Sequence, residues 1–234
     1  MRLITSCFFS ALLSIGLATA QEKPLPLAKQ SFKPTGIRIG TDLIDVVKTF
    51  SGPTFKGWEV NGDVDFRNYY FTMDVGSWAK NVTLTNGVAT NGAYNNSGEY
   101  LRLGVDINLL GKDPDKNMFF FGFRYGRSLF HENLTYTATS PNLFLPVTIS
   151  QSNDRVSGGW AELTTGLRVK VWRELWMGYT ARLKFAPTTA GNLPTLAPYD
   201  MPGYGIIGRA PWWGFNYQVF WRFVWKKDKS QLKK

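Results

Sequence analysis

Residues 160–185 read WAELTTGLRVKVWRELWMGYTARLKF. From Ala161 to Val171, every second residue is apolar or small: Ala161, Leu163, Thr165, Leu167, Val169, Val171. Between them stand Glu162, Thr164, Gly166, Arg168 and Lys170. After the break Trp172-Arg173-Glu174 the alternation resumes. Leu175, Met177, Tyr179, Ala181, Leu183 and Phe185 are set against Trp176, Gly178, Thr180, Arg182 and Lys184. Period two over about ten residues is a strand with two unlike faces, and two such runs on one short turn are antiparallel neighbours.

The same pattern occurs in six further segments. They begin at Ile37 (to Leu43), Trp58 (to Phe66), Tyr69, Leu101, Phe119 and Phe215 (to Trp225), which predicts eight strands. None of the twelve prolines falls inside them, as a hydrogen-bonded ladder requires. The links alternate in length. Arg67-Asn68, LLGKDPDK and Trp172-Arg173-Glu174 are short, whereas the links containing 127–156 and 186–213 are long. Short turns at one end and long loops at the other are the outer-membrane barrel pattern, and an even strand number puts both termini at the short-turn end.

A soluble eight-stranded barrel has an apolar inside; a membrane barrel is inverted. The charges decide between them. The apolar face of the eight segments carries none. The polar face carries the acids Asp42, Glu59, Asp63, Asp65, Asp74, Asp106 and Glu162. It also carries the bases Arg38, Arg102, Arg124, Arg168, Lys170, Arg182, Lys184 and Arg222. Eight strands enclose room for only a modest set of side chains, so the many rings of the apolar face overfill an interior but suit lipid. Trp58, Phe66, Tyr69, Trp221 and Trp225 are candidates for the interfacial girdles. Gly40, Gly76, Gly104, Gly122, Gly166 and Gly178 on the polar face leave space for long arginines.

The start of the chain, MRLITSCFFSALLSIGLATA, has a basic residue, an apolar run and small residues at Ala18 and Ala20. It reads as a secretory leader cleaved after Ala20. The predicted organisation is a leader at 1–20, a periplasmic segment at 21–34, a barrel at 35–225 and a basic tail at 226–234. Cys7, the one cysteine, lies in the leader, so disulfide and thiol chemistry are not expected of the mature chain. The formal charge is +10, and losing Arg2 with the leader leaves +9. For an exported chain that excess suits a membrane or cell-wall surface rather than nucleic acid.

Four stretches resemble the DUF6048 family, uncharacterised Bacteroidetes proteins described as outer-membrane β-barrels. They are GIRIGTDL (36–43), MFFFGFRYGRSLF (118–130), residues 160–185, and YDMPGYG (199–205). The resemblance implies a fold and a location; it brings no activity and no catalytic residues.

Other chemistry is weaker. Glu59, Asp63 and Asp65 lie on one strand, which does not wrap a hard cation, and no His or Cys cluster offers a zinc site. Neither a metal nor a cofactor is expected. Ser128 and His131 are the one pair reminiscent of a lipid deacylase, but Ser128 has lumen parity. The reading is an all-β, eight-stranded antiparallel up-and-down transmembrane barrel of outer-membrane type, monomeric, with a plugged polar lumen. Its expected lumen ion-pair network is Asp42, Glu59, Asp63, Asp65, Asp74, Arg102, Arg124, Glu162, Arg168, Arg182, Lys184 and Arg222. A structural or binding role is expected, with outer-membrane lipid around the wall and a protein or glycan partner at loops 127–156 and 186–213. The alternatives are a lipid-modifying enzyme and a narrow channel or transporter.

Overall fold

A computed structural model describes residues 34–84, 89–110, 113, 115–138, 145–191 and 196–225. The leader, residues 21–33 and the tail 226–234 lie outside the described residues. The strands are β1 (Gly36–Asp42), β2 (Phe55–Phe66), β3 (Tyr69–Leu84), β4 (Ala89–Asn108) and β5 (Met118–Ala138). They continue with β6 (Val147–Trp172), β7 (Leu175–Gly191), β8 (Asp200–Met201), β9 (Gly205–Ile206) and β10 (Trp212–Val224), and among the described residues one helix, α1 (Leu43–Ser51), follows β1. Eight strands close into one barrel in the order β1-β10-β7-β6-β5-β4-β3-β2, while β8 and β9 form a separate hairpin. Each neighbouring pair in the ring is antiparallel, and β1 closes it against β10 with Ile37 opposite Phe223.

The two shortest turns are Arg67-Asn68 and Arg173-Glu174. Tight hairpins of this length favour a positive φ at their first residue; here Arg67 (68°) and Arg173 (45°) supply it without glycine. The ends of the barrel meet at the same level, where Trp225 N–H donates to Thr35 O at 3.1 Å.

The wall is inverted relative to a water-soluble barrel. Leu103, Phe121, Phe123, Leu163, Leu167, Tyr179 and Phe215 are all exposed on the outside, and the charged side chains fill the inside. Ten residues rising about 3.3 Å each and tilted about 45° climb roughly 23 Å, close to the apolar band of outer-membrane barrels. The first outward charges above the band are Lys56 on β2, Glu99 on β4 and Arg127 on β5. Among the described residues no helix is long and apolar enough to cross a membrane, which says nothing of a barrel.

Two expectations change. Leu43 does not extend the first strand; it begins α1. Asp42 ends β1 and caps the helix, its Oδ1 accepting Ile44 N–H at 3.0 Å. An Asp cap before apolar residues at Leu43, Val46, Val47 and Phe50 is a helix signal, which the apparent alternation of 37–43 concealed. Secondly, much of 127–156 is strand rather than loop. β5 is 21 residues and β6 is 26, about twice what a bilayer needs. Above the band the outer face of this ribbon meets water instead of lipid while its inner face packs on the loop from β7 to β10, and beyond Glu132 and Asn153 both faces are open, so the apolar alternation that marks a membrane strand disappears. Residues 139–144 at its tip lie outside the described residues.

Candidate functional site

The inward residues build a continuous set of ion pairs. At the short-turn end Arg222 Nη2 meets Asp65 Oδ2 at 2.8 Å, and Asp65 also accepts from Thr35. One layer up, Asp63 bridges Arg38 (2.9 Å) and Arg168 (2.7 Å). Arg168 reaches on to Asp106 at 3.2 Å, and its guanidinium lies between the rings of Phe120 and Phe220, 4.8 Å from each. Arg38 sits over Tyr70 at 4.6 Å. These plates give the cations a face to stack on where no carboxylate reaches.

The central layer is organised on Asp74. Its Oδ2 pairs with Arg124, with Arg102 Nε at 3.3 Å and with Arg182 Nη2 at 3.3 Å, while Asn61 donates to Oδ1 at 2.8 Å. Each arginine also holds a second acid: Arg124 with Asp106 (2.9 Å), Arg182 with Glu162 (3.0 Å), Arg102 with Glu59. The Arg182–Asp74 pair runs from β7 across to the opposite strand β3, and the Arg124–Asp74 pair spans β4 from β5 to β3, so the side chains fill the cross-section. Seven carboxylates (Asp42, Glu59, Asp63, Asp65, Asp74, Asp106, Glu162) and five arginines (Arg38, Arg102, Arg124, Arg168, Arg182) are buried, with Lys184 also buried and Arg222 nearly so. Buried charges survive only when paired and hydrogen-bonded; here each of the five buried arginines meets at least one carboxylate.

Ten of the twelve expected network residues are ion-paired here. One exception is Lys184, whose ammonium donates to Gly203 O (2.7 Å) and Tyr204 O (3.0 Å) rather than to a carboxylate. Asp42 belongs at the top layer, accepting from Asn216 and from Tyr217 N–H rather than from a base. Lys170 lies outside, exposed, 3.8 Å from Asp115. Sequence reasoning left Arg38 and Asp106 out of the network, although both have lumen parity. The inward glycines serve two purposes. A Cβ at Gly104 or Gly178 would press on Arg124 or Arg168, while one at Gly76 would meet the Tyr100 ring. Of the expected girdle residues, Trp58, Tyr69, Trp221 and Trp225 are exposed outward, and Phe66 is half-buried in an edge contact with Phe71.

Above the network the chain between β7 and β10 folds inward. The β8–β9 hairpin, YDMPGYG, enters the mouth as a plug. Met201 and Tyr204 are fully buried in a cluster with Tyr100, Phe130, Val156 and Trp160. Lys184 grips its tip, Lys80 Nζ pairs with Asp200 Oδ2 at 2.5 Å, and Asn96 donates to Asp200 O. Higher still, Glu132 accepts from Tyr94 (2.9 Å), Asn153 (2.9 Å) and Tyr199 N–H (3.3 Å). The loop 186–213, expected as a partner surface, thus turns part of its length, with Met201 and Tyr204, into the barrel.

Beside the plug remains a cavity of about 530 Å³. α1 contributes Asp45 and Lys48, β3 contributes Trp78 and Lys80, and Trp212 and Asn216 of β10 complete the wall. Glu59 and Arg102 form part of its lining from the network side. Asp45, buried next to Glu59, has its carboxyl held above the usual range by desolvation first and by that neighbouring acid second; Lys48 opposes the shift.

Ser128 and His131 do not form a pair. Ser128 is buried inside and donates to Glu99 O at 3.0 Å, whereas His131 is exposed on the outer face. Among the described residues no group of three or more His, Cys, Asp or Glu is arranged to hold a metal ion.

Comparison with curated protein sequences finds no match. Two solved structures are similar in outline. CarO of Acinetobacter baumannii has a TM-score of 0.35 and 10% identity over 84% of this chain and 100% of that one. A major outer membrane protein from Thermus thermophilus has a TM-score of 0.34 and 14% identity over 81% and 98%. The family model for DUF6048, a domain of unknown function, matches residues 1–227, and the chain belongs to that family.

Proposed function

We propose that the chain is an outer-membrane β-barrel protein of binding type that works at its extracellular mouth and does not conduct. The reading rests on the inverted wall together with one observation. Arg182 on β7 reaches across the barrel to Asp74 on the opposite strand β3, where Arg102 and Arg124 also converge, within a set of buried, mutually paired acids and arginines. An ion crossing this layer would have to displace desolvated pairs whose rupture costs about 3–5 kcal/mol each.

What remains accessible is the opposite end. The projecting β5–β6 ribbon, the plug and the cavity beside it are held on a rigid, ion-paired base. Binding sites are typically concave places on such scaffolds, with mixed apolar walls and a few convergent polar groups. The role follows as presentation: a stable wall in lipid and a shaped surface above it, offered to a protein or glycan.

Planar-bilayer recording tests this reading. The folded chain, shown to have inserted by heat-modifiable migration, is expected to give no unitary conductance in molar salt. Reproducible channel steps from inserted protein would refute the closed lumen and favour a transporter.

A further inference from the structure

α1 is a helix with its chemistry reversed for water. It buries Asp45, 8% exposed, and presents Phe50 at 85% and Val47 at 62%. Its two sides meet different places. Ile44, Asp45 and Lys48 line the cavity in the mouth. Val46 and Phe50 lean over the outside of the wall and, with Gly57, Trp58, Ser77 and Ala79, enclose a groove of about 480 Å³. The helix is fixed there by Thr49, whose hydroxyl accepts Gly57 N–H at 2.8 Å and lies 2.8 Å from Gly57 O. The groove is therefore a built feature of the rim.

Its position identifies what occupies it. Trp58 is the last outward aromatic of β2, and the eight steps from Phe66 to Trp58 climb about 19–22 Å, most of the apolar band. The groove thus opens directly from the lipid-facing surface at its upper edge. Its walls are rings and branched side chains, and its floor is the small residues Gly57, Ser77 and Ala79. Lys56 stands exposed beside it, about one strand step above Trp58, where headgroups lie. A helix with an apolar face at this depth, flanked by a cation, is arranged as an interfacial helix is.

We propose that this groove holds an acyl chain of an anionic outer-leaflet lipid, with the headgroup at Lys56 and with Phe50 and Val47 immersed beside it. The proposal rests on the membrane-barrel reading. It goes further by giving α1 a specific lipid rather than a general contact with the bilayer.

Spin labels test it, because Cys7 is the only cysteine and Cys7→Ser provides a clean background. Labels are placed singly at Phe50→Cys and Val47→Cys, at Lys48→Cys on the cavity side, and at Leu167→Cys on the wall. The protein is reconstituted in phosphatidylcholine vesicles containing phosphatidylglycerol, and collision with oxygen is compared with collision with a nickel chelate. Labels at 47, 50 and 167 are expected to favour oxygen, and the label at 48 the chelate. In native mass spectrometry Lys56→Gln is expected to lower the preference for phosphatidylglycerol about fivefold, the factor one lysine contributes at an anionic surface. A label at 50 that favours the chelate while 167 favours oxygen would overturn the groove and leave the barrel standing, and would include the case of a polypeptide occupant. Chelate preference at 167 as well would overturn the membrane reading beneath it. Unchanged lipid selectivity in Lys56→Gln would overturn the headgroup assignment.

Discussion

Asp74→Ala removes the carboxylate on which the central layer is built. Three guanidinium groups lose a partner at once: Arg124, Arg102 at 3.3 Å and Arg182 at 3.3 Å, and the Asn61 amide loses an acceptor. At an effective dielectric constant of about 20, each contact at this range is a Coulomb attraction of roughly 4 kcal/mol. The net cost is smaller than three such terms, because Asp74 also stops paying its own desolvation and each arginine retains a second acid, namely Asp106, Glu59 or Glu162. What remains is one uncompensated positive charge in a closed interior, a situation that costs about 3–5 kcal/mol. Equilibrium unfolding in urea, from detergent micelles or vesicles and followed by tryptophan fluorescence, reads this out. With a slope of about 1–3 kcal/mol per molar, the midpoint should fall by on the order of 2 M. The double variant Asp74→Ala/Arg124→Ala removes one charge of each sign. It should be less destabilised than the sum of the single variants by about 0.5–3 kcal/mol, the range for residues in one network. A single variant within about 0.5 kcal/mol of the parent, or strictly additive losses, would refute the interior as a coupled network.

Two further predictions concern the mouth. Lys184→Met keeps the aliphatic stem but removes the donor to Gly203 O and Tyr204 O; amide hydrogen exchange across 196–209 should accelerate while the global unfolding midpoint moves little, and unchanged exchange there would show that Lys184 is not the latch. Asp45 supplies a pH dependence. Its folded pKa lies above the ordinary 3.8, so between the unfolded and folded values the folded chain binds more protons and stability rises as the pH falls. Protection of the α1 amides, corrected for intrinsic exchange, should therefore increase as the pH falls from neutral towards the ordinary carboxylate range. Asp45→Asn should already show more protection at neutral pH and a weaker dependence.

Period two carried most of the fold. Leu163 and Leu167 outside with Glu162 and Arg168 inside follow from parity alone, because a strand that passes between lipid and a polar lumen must alternate. Parity also delivered the lumen acids and bases. It could not say which would pair, since Arg38 and Asp63 meet across adjacent strands whereas Arg182 and Asp74 meet across the lumen. That depends on register and stagger. It failed where lipid no longer faced the outer side: the β5–β6 ribbon above the band has water outside and, towards its tip, on both sides, and α1 was concealed in a run that also fits a strand. The plug was unreadable for a different reason. Met201 and Tyr204 in YDMPGYG have no periodicity, and their burial comes from the cavity that Tyr100 and Trp160 leave for them. Pro187 in β7 is instructive too. It lies past Lys184, where β10 has ended its pairing, so the missing N–H is on an open edge.

The central claim is that the apolar face of this barrel lies against lipid and the charged face is sealed inside. Leu167→Arg tests it most directly. Leu167 is half exposed on the outer wall, five residues above the β6–β7 turn, about 12 Å up at the spacing and tilt of such strands and hence near mid-height of the band. Folded into phosphatidylcholine vesicles and unfolded in urea, the variant is predicted to lose about 2–4 kcal/mol, the cost of an arginine at the bilayer midplane. A variant as stable as the parent would mean that Leu167 faces water, and would contradict the account.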